Sequence, residues 1–288
     1  MSEPVDYPFR DSGLKLNRAA EHFRSLHLAV GEFVASEPHS LTAEIDVAAS
    51  RYNVYAKIDN PPPPELSLIA GDFLQNLRAA LDHLIWQLVR ASGQKPGRSN
   101  AFPILVKAPT VKNGGVDRWN RQLRGVDPRF WRFIEKVQPY KRQDRPQLDP
   151  LAVLQSLSNE DKHRVVFQRF AAIPHPESAE PRLDIEAVSD VKVDEEYELL
   201  ANKPIEDGDK IVSAVISVQG SSPQVKLKGE LALDVAFGQD LIPAAQLIHI
   251  FDRVDAIVAL FSAVCFGGSW GPKSLGDRLG PEVFERLG

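Results

Sequence analysis

An α+β fold, with helices dominating the first half and strands gathered late, follows from three features of this 288-residue chain. One long segment, Glu65 to Ser92, repeats Leu74, Leu77, Leu81, Leu84, Ile85 and Leu88 at helical spacing. From Arg182 the pattern turns to strand-like alternation, punctuated by Asn202-Lys203-Pro204, Asp207-Gly208-Asp209 and Gly220-Ser221-Ser222-Pro223. Leu241 to Phe266 then returns to an amphipathic helix. The expected architecture is a helical bundle with an N-terminal β-hairpin and an inserted antiparallel β-meander. Residues 1–175 would hold the bundle and hairpin and residues 176–240 the meander. Residues 241–288 would return the last helix to the bundle and end in a tail.

Each element has a local reason. Leu16, Ala19, Phe23, Leu26, Val30 and Phe33 stripe a helix from Leu14 to Val34. Leu41 to Val47 and Asn53 to Ile58 alternate on either side of a short turn and read as a hairpin. Pro61 to Pro64 is a stiff extended spacer before the long helix, which would span about 40 Å. Gly93 stops that helix as a C′ glycine. Ala101 to Val106 reads as a brief strand and Asp117 to Arg124 as a short helix. Asp127-Pro128 and Asp149-Pro150 each combine an N-cap carboxylate with a first-turn proline and open further helices. Ser158-Asn159-Glu160-Asp161 resembles a capping box, so a fresh helix is expected from there to about Phe170. The meander strands are expected at Leu183 to Val188, Val191 to Leu199, Lys210 to Val218 and Val225 to Phe237. The tail opens with Gly267-Gly268-Ser269-Trp270-Gly271.

Composition narrows the classes. The chain is 43 % hydrophobic and 25 % charged, ordinary for a globular protein. Its one cysteine, Cys265, allows no internal disulfide framework and no cysteine zinc cluster. The start, MSEPVDYPFRDSG, lacks the apolar core of a signal peptide, and the run from Ala256 to Gly267 is too short to span a bilayer. A cytoplasmic protein with no membrane partner is expected. Charge is distributed unevenly: Ala101 to Arg145 carries 11 Lys and Arg against 4 Asp and Glu, whereas Pro176 to Asp240 carries 6 against 15. The basic stretch either forms a solvated surface or meets an anion such as RNA. Trp119, Phe130, Trp131, Phe133 and Tyr140 lie within it, placed either to anchor short helices or to stack on bases.

The chemistry-bearing residues concentrate on the long helix, where Asp72, Asn76, Arg78, Asp82, His83 and Gln87 interrupt the apolar seam. The stretch Arg78-Ala79-Ala80-Leu81-Asp82-His83 resembles the Arg-x4–6-His signature of HEPN domains (higher eukaryotes and prokaryotes nucleotide-binding). The resemblance implies a four-helix bundle and a metal-independent endoribonuclease of toxin–antitoxin, phage-defence or CRISPR systems. Arg78 and His83 would be the catalytic pair of a homodimer, acting on RNA without a cofactor. The RNA 2′-hydroxyl would attack the adjacent phosphate while an imidazole, which titrates near neutrality, moves the proton. A planar guanidinium would stabilise the phosphoryl oxygens. Asp72, Asn76 and Asp82 would be the supporting polar seam.

Helical geometry separates that pair by about 140° around an unbroken helix. His83 then lines up with Asp72, Asn76 and Gln87, and Arg78 with Asp82. The structural alternative is an i,i+4 ion pair between Arg78 and Asp82 and a hydrogen-bonded histidine at the core edge.

Lys162, His163 and Arg164, at the expected new helix start, form a second candidate, an anion site. Asp72, Asp82, His83, Asp161 and His163 have metal-ligand chemistry but no spacing that ties them together, and no metal is assigned. No glycine-rich phosphate loop follows a strand, and no Gly-x-Ser-x-Gly elbow is present. The leading expectation is a HEPN-like, RNA-directed protein of a bacterial or phage conflict system. The opposing one is a non-catalytic bundle that binds a protein partner through the meander.

Overall fold

The computed structural model describes residues 9–142, 144–163, 168–172, 184–199, 204–221, 223–228 and 233–266. Six helices lie among them: α1 (Arg10–Ala35), α2 (Pro64–Ala91), α3 (Gly115–Gln122), α4 (Pro128–Lys136), α5 (Pro150–His163) and α6 (Leu247–Phe266). The strands are β1 (His39–Asp46), β2 (Arg51–Ile58), β3 (Gln168–Ala172), β4 (Asp184–Ser189), β5 (Val191–Leu199), β6 (Lys210–Val218), β7 (Gln224–Lys228), β8 (Leu233–Phe237) and β9 (Ile242–Pro243). All the pairings among the described residues are antiparallel, so the chain is α+β. No helix among the described residues is long and apolar enough to cross a membrane.

The chain divides into two compact units. The helical unit takes Met1–Leu26, Leu68–Val166 and Ala245–Gly288, and the sheet unit takes His27–Ser67 and Phe167–Ala244.

In the helical unit the apolar stripe expected on α2 is fully buried from Leu74 to Leu88. Phe73 of α2 meets Phe23 of α1 with ring centroids 5.7 Å apart. Ser12 ties the same helices by donating its hydroxyl to the Ala80 carbonyl at 2.9 Å, a bond closed to water. Phe133 of α4 packs edge-on against Phe261 of α6 at 6.4 Å. The helix ends carry the expected signals. Gly93 sits at φ 72°, its N–H bonds the Arg90 carbonyl, and the next N–H, of Gln94, reaches back to Val89. That pair of bonds is a Schellman close. Asp127 accepts from the Arg129 N–H, with Pro128 opening α4. Asp149 accepts from the Leu151 N–H at the head of α5.

The sheet unit is organised by non-local pairing. Its four-stranded sheet runs β1-β2-β6-β5, with β3-β8-β9 and β4-β7 as smaller sheets. β1 and β2 pair from His39↔Ile58 to Asp46↔Arg51, and the Asp46 carboxylate accepts from the Ala49 N–H in the connecting turn. β2 then pairs with β6 from Arg51↔Val215 to Tyr55↔Lys210, with a register shift at Val54/Tyr55. Tyr52, Val54 and Ala56 of β2 and Val212, Ala214 and Ile216 of β6 form the core beneath this sheet, joined by Phe170 and Ile205.

Four sequence expectations need correction. The hairpin was expected in the bundle part, 1–175, with the meander separate; instead β2 bonds to β6 in one sheet, because both alternate towards the same apolar face. The expected strand at Val225 to Phe237 is two strands, β7 and β8, with different partners. Ala101 to Val106 forms no strand and joins no ladder. The expected helix start at Ser158 is interior to α5, which runs unbroken to His163, and β3 occupies part of the span expected to be helical up to Phe170. The tail from Gly267 lies outside the described residues.

Gly93→Ala should cost about 1 kcal/mol, because no neighbour lies within 4 Å of the added Cβ and only the left-handed backbone resists it. A lower urea midpoint at unchanged slope is the expected readout. His39, edge-on to Phe170 at 5.1 Å, is held below its ordinary value of 6.5 by burial. As the pH falls below 6.5 the unfolded chain takes up a proton that the native imidazole refuses, so stability drops there. His39→Gln should flatten that acid slope in urea titrations run on both sides of this value.

Candidate functional site

α2 carries polar residues on two flanks of its apolar seam. Gly71, Gln75, Arg78 and Asp82 repeat at three- and four-residue intervals on one flank, and Asp72, Asn76, His83 and Gln87 occupy the other.

On the first flank Arg78 is 8 % exposed. Its Nη2 donates to Asp82 Oδ1 at 2.9 Å and to the Phe102 carbonyl at 2.7 Å. The same Asp82 oxygen accepts from the Phe102 N–H at 2.8 Å. One i,i+4 ion pair therefore holds both backbone polar groups of Phe102, whose ring is fully buried. Gln138 repeats the device further along the segment. Fully buried, it accepts from the Leu105 N–H at 3.0 Å and donates to the Pro103 carbonyl at 2.8 Å. These side chains satisfy the backbone groups that a neighbouring strand or helix turn would otherwise take.

Arg78 Nη1 also makes a longer, 3.5 Å contact with Gln155 Oε1 on α5, and Gln155 donates to Asn159 at 2.7 Å. Gln75 donates to Asp161 Oδ2 at 3.0 Å. A Cβ at position 71 would collide with the Asp161 carboxylate, so glycine leaves room for that side chain against α2. Burial lowers the pKa of Arg118 on α3, and the guanidinium of Arg78 lowers it further.

The second flank forms a polar seam with α1. Asp11 Oδ2 lies 3.4 Å from Gln87 Nε2 and 3.9 Å from His83 Nδ1. Lys15 donates to Asn76 at 3.4 Å, and Asn76 donates to the Asp72 carbonyl at 2.8 Å. Burial is the main cause that lowers the His22 pKa; Arg18 adds to it, and Asp72 opposes it. The sequence of contacts, 11 with 83 and 87, then 15 with 76, is that of antiparallel helices.

Within one chain the expected pair is thus divided. Arg78 serves Asp82, Phe102 and Gln155, whereas His83, its side chain 41 % exposed, faces Asp11 across the α1 seam. Of the supporting residues, Asp82 joins Arg78, and Asp72 and Asn76 lie on the His83 flank. The second candidate loses its helical rationale. Lys162 and His163 end α5, where the dipole is unfavourable to an anion, rather than beginning a helix. The side chains of Lys162 and His163, and all of Arg164, lie outside the described residues. Among the described residues no group of three or more His, Cys, Asp or Glu is placed to hold a metal ion.

No family model matches the chain, and no curated protein or solved structure matches it.

Sequence reasoning missed Gln75, Gln138 and Gln155, and missed that the partner of Arg78 and Asp82 is a backbone. Periodicity carries no signal for them, since an isolated glutamine beside apolar residues reads as surface. The Asp82 at i+4 from Arg78 was the one visible clue.

Arg78→Ala leaves the Phe102 carbonyl without its donor and the Asp82 carboxylate without its cation, and should cost roughly 3 kcal/mol. Asp82→Ala should also destabilise, and the double variant should lose less than the two losses summed, by at least about 1 kcal/mol. A double-mutant cycle by urea unfolding reads this; strict additivity would show that the clamp does not act as a unit.

Proposed function

We propose that this chain is a non-cleaving, RNA-directed binding protein whose HEPN-like bundle uses the Arg78–Asp82 pair as scaffold. The observation that carries the reading is the division of Arg78 and His83 between two flanks of α2, with Arg78 closed off from solvent. A guanidinium that stabilises a transferring phosphoryl group needs a cleft and an uncommitted donor fork. That of Arg78 donates through Nη2 to two acceptors and through Nη1 to a third.

Support for an RNA partner comes from the basic stretch. Arg121, Arg124, Arg129, Arg132 and Lys136 are all exposed. Of the aromatic residues among them, Trp119 and Phe130 are buried; Trp131, Phe133 and Tyr140 are half-buried, and the Trp131 indole donates to the Val126 carbonyl at 3.1 Å. Such a surface attracts phosphate charge and offers no fully exposed ring among these residues for base stacking. The HEPN-like resemblance, and with it the conflict-system setting, homodimer and cytoplasmic location, belongs to the same proposal.

A protein-binding reading has its own observation. β1 and β5 end the four-stranded sheet, and strand edges are where extended partner segments add. It remains the second reading because it rests on one structural feature that many sheets share.

The protein should retard single-stranded RNA at low salt and leave it intact with or without EDTA. His83→Ala should bind RNA as the wild type does. RNA cleavage that survives EDTA and is lost in both His83→Ala and Arg78→Lys would overturn the reading in favour of a nuclease.

A further inference from the structure

α4 is short, capped and two-faced. Phe130 and Ile134 are buried, and Arg129, Arg132 and Lys136 follow at three- and four-residue spacing on the exposed side. Those three positions fall within about 60° of one another and extend for about 10 Å along the axis. Little acid neutralises them. Arg129 shares one carboxylate, that of Asp127, at 3.3 Å. Arg132 and Lys136 have no carboxylate within ion-pair distance among the described residues. The two guanidinia lie instead over rings, Arg129 at 4.8 Å from the Phe130 centroid and Arg132 at 4.7 Å from that of Phe133. A ring steadies a guanidinium without cancelling its charge. Exposed Arg121 and Arg124 precede this face in the chain, on and just after α3.

We infer that the exposed face of α4 docks the phosphodiester backbone of single-stranded RNA through Arg129, Arg132 and Lys136. This rests on the RNA-directed reading above and adds where and how the RNA is held. With Phe130 buried and the half-buried Phe133 ring held between the Arg132 guanidinium and Phe261, the contact is made to phosphates and takes no account of base identity. Its affinity is therefore set by counterion release: three contacted phosphates contribute a slope of about −2 to log K against log salt.

The test is fluorescence anisotropy of the full chain with a fluorescein-labelled, mixed-sequence single-stranded RNA across a salt series. Arg132→Glu with Lys136→Glu should weaken binding at low salt at least tenfold and flatten the slope by about 1.4. Arg132→Gln with Lys136→Gln should give the same direction with a smaller loss, and thermal melts should show both variants folded. Lys57→Glu with Lys192→Glu, an equal charge change in the sheet unit, should stay within twofold of wild type. If the α4 reversal stays within twofold, or the sheet-unit reversal loses as much, the α4 surface is wrong while RNA binding stands. If the wild type binds no RNA, the functional reading falls as well. Binding to phosphatidylserine vesicles but not to RNA would overturn both in favour of a membrane-surface role.

Discussion

The helical unit depends on one hydrogen-bonded clamp, in which Arg78 and Asp82 take the carbonyl and the N–H of Phe102. Phe102 is fully buried, so its backbone groups have no water to fall back on. A segment outside helix and sheet has no ladder to bond to, and an i,i+4 pair on α2 supplies the missing donor and acceptor from one helix face. Gln138 does the same for Pro103 and Leu105 with the two ends of one amide. Each partner also satisfies the other: the carboxylate neutralises the arginine where burial would otherwise be costly.

That arrangement shows what the polar residues of α2 bond to within a single chain. The first flank is committed to holding the 101–105 segment and α5, and the second to a seam with α1. Residue types suited to phosphoryl chemistry are equally suited to binding peptide groups, because a peptide carbonyl and a phosphoryl oxygen ask the same thing of a guanidinium. Burial and the number of acceptors already engaged distinguish the two uses. By that measure Arg121 on α3 and Arg129, Arg132 and Lys136 on α4 are among the described cations open to a partner, held on short helices by buried Trp119, Phe130 and Ile134.

The sheet unit rests on a different constraint, pairing between strands far apart in sequence. β2 finds β6 because each presents a continuous apolar face, Tyr52, Val54 and Ala56 against Val212, Ala214 and Ile216. Register is reinforced by polar contacts: Arg51 donates to the Ser213 hydroxyl at 3.3 Å, and that hydroxyl donates to Asn53 at 2.8 Å. A one-residue slip would turn the apolar sets outward and separate this trio. Closing so long a loop before any of these contacts forms is entropically expensive, so the β1–β2 hairpin, whose partners are local, is the natural platform for β6.

Local signals were sufficient wherever the cause is local. The 3.6-residue stripe placed α2, Gly93 ended it, and Asp127-Pro128 and Asp149-Pro150 opened α4 and α5, since each acts through its own backbone neighbours. The angular separation of Arg78 and His83 was likewise legible, being a property of one helix. Tertiary structure alone decided that Phe102 lies between Arg78 and Asp82, that β2 pairs with β6, and that α5 runs through the apparent capping box at Ser158 to His163. In the first two the partner is distant in the chain, and a polar or alternating residue does not encode which distant group will satisfy it. Packing free energy, summed over the whole unit, makes that choice.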